Sequence, residues 1–257
     1  VSTPSTILTL PSVQEAQTLA RHCLALGTIG VLTGPNGAGK SEALKYLART
    51  PDLLPPNRAA YYFQAVQAVG SSRGVRDLLV GLEVRQAIHQ RGMALPIAMK
   101  LALREFQDRG ISLLLIDEAD LLAIDALQGM ISMYDFCRDK GHRMAIVCAG
   151  SKPSDKWIGA LPAAWSRTLK VCHLSHLSVE ITCALFEGWG SPVKELAQSV
   201  REKDREAVGT LKLIHKGTGG NLRRLYYFAE LAALDPQPLA SSRVRELMEQ
   251  MTTHAVN

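Results

Sequence analysis

Apolar residues recur along this chain with two different periods, and the change between them divides it. Val13, Ala16, Leu19, Ala20 and Cys23 fall at helical spacing, with Ser12 and Glu15 set as a capping box and Gly27 as the stop. Ile29 to Thr33 is a short apolar run, hence a buried strand, and it runs into Gly34–Ser41. A helix follows to about Arg49, Pro51 to Pro56 is loop, and Ala59 to Val66 is a second strand. Val69 to Gly74 reads as a polar loop, Val75 to Gln90 and Leu95 to Arg109 as helices. Ile111 to Ile116 is an apolar run bounded by Gly110 and Asp117, Ala123 to Lys140 is helical, and Arg143 to Ala149 and Thr168 to Leu174 are further strands. Strands alternating with helices predict an α/β fold, a parallel sheet covered by helices on both faces.

After about Ser175 the strands stop. Val179 to Trp189, Val193 to Glu202, Arg205 to Lys216, Leu222 to Leu234 and Ser242 to Thr253 are all helical in period. The expected organisation is an α/β core over residues 1–175, a small helical domain over 176–235, and a tail helix over 236–257 set off by Pro236 and Pro238. The tail combines Arg243 and Arg245 with Leu247, Met248 and Met251, and either docks on the helical domain or meets a partner.

The 257 residues suffice for one large domain or a core with an appendage, and a 47% hydrophobic fraction allows a real core. Lys plus Arg exceeds Asp plus Glu by 29 to 24, a mild excess that permits an anionic partner without demanding one. Aromatics at 5% argue against an RNA binder built on stacking platforms. No apolar run approaches the roughly 20 residues of a membrane span, and Val1 to Pro11 lacks the layout of a signal peptide. Five scattered cysteines, never spaced as CxxC, read as reduced core thiols, so a cytoplasmic protein without a membrane partner is expected. Cys172, His173 and His176 offer three ligands and no fourth, which favours packing over zinc, and Trp157, Trp165 and Trp189 also read as packing residues.

The chemistry concentrates at Gly34-Pro35-Asn36-Gly37-Ala38-Gly39-Lys40-Ser41, which satisfies GxxxxGK[ST] in full between a predicted strand and a predicted helix. Glycines let backbone N–H groups turn onto phosphates, and the helix N-terminus adds its dipole, with Glu42 next in line. Lys40 is placed for the β and γ phosphates of ATP and the Ser41 hydroxyl for Mg²⁺. A nucleotide hydrolase also needs acids at the end of a neighbouring strand. Asp117 is expected to orient the Mg²⁺ shell, and Glu118 to act as general base or water-positioner for attack on the γ-phosphate. Asp120 reads as a helix N-terminal acid. The loop wording also occurs in ABC-type ATPases, but their Leu-Ser-Gly-Gly-Gln signature has no counterpart in this chain.

Trp165-Ser166-Arg167 precedes the last strand, and Gly219-Gly220-Asn221-Leu222-Arg223-Arg224 opens a helix of the second part. With these, the chain resembles the AAA+ ATPases, P-loop proteins with an α/β core and a helical lid. The resemblance makes Arg167 an arginine finger completing a neighbour's site and Arg223 the second sensor on the γ-phosphate. The first sensor, usually Asn or Thr, falls at Ser151, a shorter group that implies slow or assembly-dependent hydrolysis. The wording of Gly30–Gly34, of Ile116–Leu122 and of Ala149–Ser151 looks most like the transposition regulators of the TniB, TnsC, IstB and phage Mu B group. That resemblance implies a ring or filament of self-associated subunits on duplex DNA, bound without sequence preference, which recruits a transposase, with or without a target-selector protein. Arg73 and Arg76, extended by Arg91 and Lys100, are the expected phosphate contacts. Helicase-loader or initiator ATPases, and secretion-associated ATPases of the ExeA type, are the competing readings.

Overall fold

A computed structural model describes residues 10–50, 54, 56, 58–65, 71–89, 92–151 and 166–254. They form two compact units, one of residues 15–34 and 40–174, the other of residues 10–14, 35–39 and 175–254.

The first unit is a five-stranded sheet, β1 (Ile29–Thr33), β2 (Ala59–Gln64), β3 (Ile111–Asp117), β4 (Ala145–Gly150) and β5 (Thr168–His173), ordered β2-β3-β4-β1-β5 with every neighbouring pair parallel. Helices lie on both faces: α1 (Pro11–Leu26), α2 (Lys40–Ala48), α3 (Ser71–Gly81), α4 (Arg85–His89), α5 (Leu95–Asp108) and α6 (Ile124–Asp139). The parallel sheet covered on both faces, expected from the alternation of strands and helices, is therefore the one observed. All residues of β1 and β3 are buried, as strands covered on both faces must be, while β2 and β5 at the edges are partly exposed. Gly30 lets α1 lie directly on β1, since a Cβ there would fall 2.7 Å from Cys23 Sγ and 2.8 Å from Leu19 Cγ. Because the strands are parallel, the carboxyl ends of β1, β3 and β4 open on one rim, where ligands of such sheets bind. Register places Thr33 opposite Gly150 and Gln64 opposite Asp117 on that rim.

Four local expectations change. The first helix begins at Pro11, with Val13 and Gln14 N–H bonded to Leu10 O, so Ser12 lies inside it and forms no capping box. Proline at the first position suits this, having no N–H to satisfy. Helix α3 already starts at Ser71, which puts Arg73 on a helix and not in a loop, while residues 66–70 lie outside those described. The helix expected over Val75 to Gln90 breaks after Gly81, and Glu83 takes a positive φ of 59° before α4. Asp120 belongs to a single 3₁₀ turn, Ala119–Leu121, so it heads no α-helix.

The second unit contains α7 (Val179–Glu187), α8 (Val193–Arg201), α9 (Arg205–Thr218), α10 (Leu222–Leu234) and α11 (Ser241–His254). Side chains of Ser178, Asp204 and Asn221 cap α7, α9 and α10, and Gly219 ends α9 in the left-handed conformation. Helix α11 packs on α9 and α10, with Thr210 Oγ1 3.3 Å from Ser241 Oγ and Met248 against Gly217. Of the two roles open to the tail helix, docking is the one seen. Among the described residues, no helix is long and apolar enough to cross a membrane.

Candidate nucleotide site

The phosphate loop leaves the end of β1, and Gly37 and Gly39 take left-handed φ angles of 80° and 88°. Lys40 opens α2 and folds its ammonium back onto Gly34 O at 2.7 Å. Ser41 is half-buried in the first turn of α2, and Glu42 lies 3.6 Å from Lys45. Within the second unit, residues 35–39 are held by their carbonyl oxygens. Asn36 O accepts from Asn221 Nδ2 at 2.8 Å and lies 3.3 Å from His176 Nε2, and Gly37 O accepts from Leu222 N–H at 2.9 Å. A Cβ on Gly37 would fall 2.1 Å from Asn221 Oδ1. Glycine at this position, which the GxxxxGK[ST] pattern leaves free, is thus dictated by Asn221.

The acids form a second cluster, inside the first unit. Asp117 is 1% exposed. Its Oδ2 accepts from the Tyr62 hydroxyl at 2.8 Å and its Oδ1 from Glu118 N–H at 2.9 Å. Tyr62 and Gln64 stand two apart on β2, so both face the same side, and register carries them to the end of β3. Burial first, and then the bond to Asp117, push the Tyr62 phenol up from its ordinary range, which keeps it a donor. Glu118 is exposed, adopts φ 50° and ψ 36°, and receives Gln64 Nε2 on Oε2 at 3.3 Å. A non-glycine residue in this region is strained, and such strain gathers at functional sites.

Ser151, just beyond β4, donates its hydroxyl to Asp120 Oδ2 at 2.8 Å. Arg167 precedes β5 and is engaged within its own chain, Nε bonding Asp135 Oδ1 of α6 at 2.6 Å. Arg223 is exposed in the first turn of α10. Arg73 and Arg76 both pair with Asp77, at 3.9 and 3.4 Å, the first largely exposed and the second largely covered. Lys100 is exposed on α5. Arg91, Trp157 and Trp165 lie outside the described residues. Sequence reasoning missed Tyr62 and Gln64 as partners of the acids, and Asn221 and His176 as partners of residues 35–39.

A family model described as AAA domain matches residues 25–158. No curated protein matches the chain. Among solved structures, Cdc6p from Pyrobaculum aerophilum is 19% identical with a TM-score of 0.68 over 96% of this chain and 69% of that one. The Aeropyrum pernix ORC1 protein in complex with DNA is 14% identical, TM-score 0.59, over 93% and 65%. Domain III of the Thermotoga maritima replication initiation protein DnaA is 14% identical, TM-score 0.60, over 97% and 98%. The chain spans about two thirds of the length of the ORC and Cdc6 chains. Identities this low speak to the fold alone, but the family model covers more than half of the residues, so the chain belongs to the AAA domain family.

Proposed function

We propose that this chain is an ATP-hydrolysing switch that acts on duplex DNA in the manner of a replication initiator or helicase loader. The carrying observation is the acid pair on the rim of the sheet: Asp117 buried and fixed through both oxygens, Glu118 next to it, exposed and left-handed. Each Asp117 oxygen takes one hydrogen bond and keeps a lone pair for a cation. With the Ser41 hydroxyl, this is the hard oxygen set that suits Mg²⁺. Mg²⁺, when bound, neutralises charge on the phosphate oxygens.

The residues then divide the work. Loop N–H groups and Lys40 hold the phosphates, and Glu118 accepts the proton of the attacking water. The water oxygen bonds the γ-phosphorus, the bridge to the β-phosphate breaks, and ADP and phosphate leave. Gln64 holds one oxygen of Glu118, which sets its approach. Arg223 senses the γ-phosphate within the chain, and Arg167 of one subunit serves the site of the next, so that assembly and turnover are coupled.

The DNA part draws on the fold shared with DnaA domain III and with an ORC1 protein in complex with DNA. Arg73, Arg76 and Lys100 are the proposed phosphate contacts, and their binding is independent of sequence. A second reading, assembly on DNA to recruit a transposase, is favoured by the motif wording around Gly30, Asp117 and Ser151. The test adds ATP and duplex DNA to the protein, then a replicative helicase or an integrase-type transposase. ATP-dependent delivery of the helicase supports the first reading. Stimulation of the transposase alone supports the second, and no ATP-dependent association with DNA at low salt sinks both.

A further inference from the structure

The turn that follows Glu118 and the loop that follows β4 are tied together by one carboxylate. Register sets Ile116 beside Cys148, so β3 and β4 deliver their ends side by side. Asp120, in the 3₁₀ turn after Glu118, takes the Ser151 hydroxyl on Oδ2 at 2.8 Å and approaches Ser151 N–H through Oδ1 at 3.4 Å. Gly150 makes room, since a Cβ there would meet Asp120 Oδ1 at 3.0 Å.

A serine hydroxyl has one proton and two lone pairs, while a carboxylate only accepts. With its proton committed to Asp120, Ser151 can accept a hydrogen bond but cannot donate one to a phosphate oxygen. We infer that Asp120 is a positioning residue that fixes the polarity of Ser151, turning it into an acceptor for the attacking water. This rests on the ATPase reading above. Water has two protons to place. Glu118 accepts one and removes it in the reaction, Ser151 accepts the other, and a lone pair is left to face phosphorus.

Four variants test this against wild type: Asp120→Ala, Asp120→Asn, Ser151→Ala, and Asp120→Ala with Ser151→Ala. Asparagine is the discriminating change. The Ser151 N–H needs an oxygen opposite it, so the amide N–H₂ faces Oγ and the hydroxyl proton is released. The shape and the tie survive, and the polarity does not. Asp120→Ala and Asp120→Asn are both expected to lower kcat about ten- to a hundredfold, with the KM for ATP and the affinity for a non-hydrolysed analogue unchanged. The double variant is expected to be no slower than either single alanine variant, and Asp120→Asn to melt within a few degrees of wild type. Wild-type kcat in Asp120→Asn, or losses that multiply in the double variant, overturns the positioning role and leaves the ATPase reading intact. Absence of turnover in wild type, with DNA and Mg²⁺ present, overturns both.

Discussion

Asn221 gives its side-chain amide to the carbonyl oxygen of Asn36 at 2.8 Å, while its side-chain oxygen caps α10 by accepting from Arg224 N–H at 3.2 Å. One residue thus starts a helix and holds the phosphate loop. Asn221→Ala removes both bonds. The lost cap destabilises by about 1 kcal/mol, and the freed loop is expected to bind ATP several-fold more weakly. Gly37→Ala drives a methyl group into Asn221 and strains φ 80°, and is expected to be worse than Asn221→Ala. Combining the two should recover part of that loss, because the clash is gone. Nucleotide titration of the three proteins checks this, and simple multiplication of the two effects contradicts it.

Tyr62 holds Asp117, the acid proposed to bind the metal, in place. Tyr62→Phe keeps the ring and removes the donor to Asp117 Oδ2. Groups that orient a metal ligand are typically worth about 10- to 100-fold in affinity or activity. The expected result is a higher Mg²⁺ requirement at unchanged ATP affinity without metal. A Mg²⁺ titration of turnover identical to wild type would refute it.

The contiguous part of the candidate site was legible in the sequence. Gly34–Ser41 and Asp117–Glu118 lie on single stretches whose flanking strand and helix could be read from apolar spacing. The partners that orient them were not legible, because each arrives through a tertiary contact. Tyr62 reaches Asp117 over 55 residues, Asp120 reaches Ser151 over 31, and Asn221 reaches Asn36 over 185. Local pattern says which face of a strand a residue occupies. Only register says which neighbour it meets, as with Gln64 opposite Asp117. The misread start of α1 has a similar cause. Ser12 and Glu15 have the right spacing, but Pro11 is itself helical and moves the helix start ahead of Ser12.

Arg167 is held by Asp135 at 2.6 Å and a quarter exposed, so it is oriented within its own chain. If it serves a neighbour's site, Arg167→Ala subunits and Lys40→Ala subunits are each inactive alone. Mixing them regenerates sites with an intact phosphate loop on one side and an intact arginine on the other. Recovered ATP turnover on mixing is the expected outcome, and a mixture as inactive as its parts argues for a role confined to one chain.

Burial pushes the Cys23 thiol up to about 11 and those of Cys137 and Cys148 to about 12. In the unfolded chain these thiols ionise near 9.0, so above that pH the unfolded state binds fewer protons than the folded one. Stability is therefore expected to fall as pH rises from 9 towards 11, by up to about 1.4 kcal/mol per pH unit for each thiol. Melting temperatures between pH 8 and 11 measure it. Cys148→Val should show the shallower slope, and parallel curves for the two proteins would speak against the assignment.

Glu118 is proposed to remove the proton from the attacking water. The most direct measurement is phosphate release by wild type and Glu118→Gln at saturating ATP and Mg²⁺, with and without duplex DNA, beside the affinity of each for ATP. The expected result is a loss of about a hundredfold or more in Glu118→Gln with ATP affinity retained. Equal rates of phosphate release in the two proteins would contradict it.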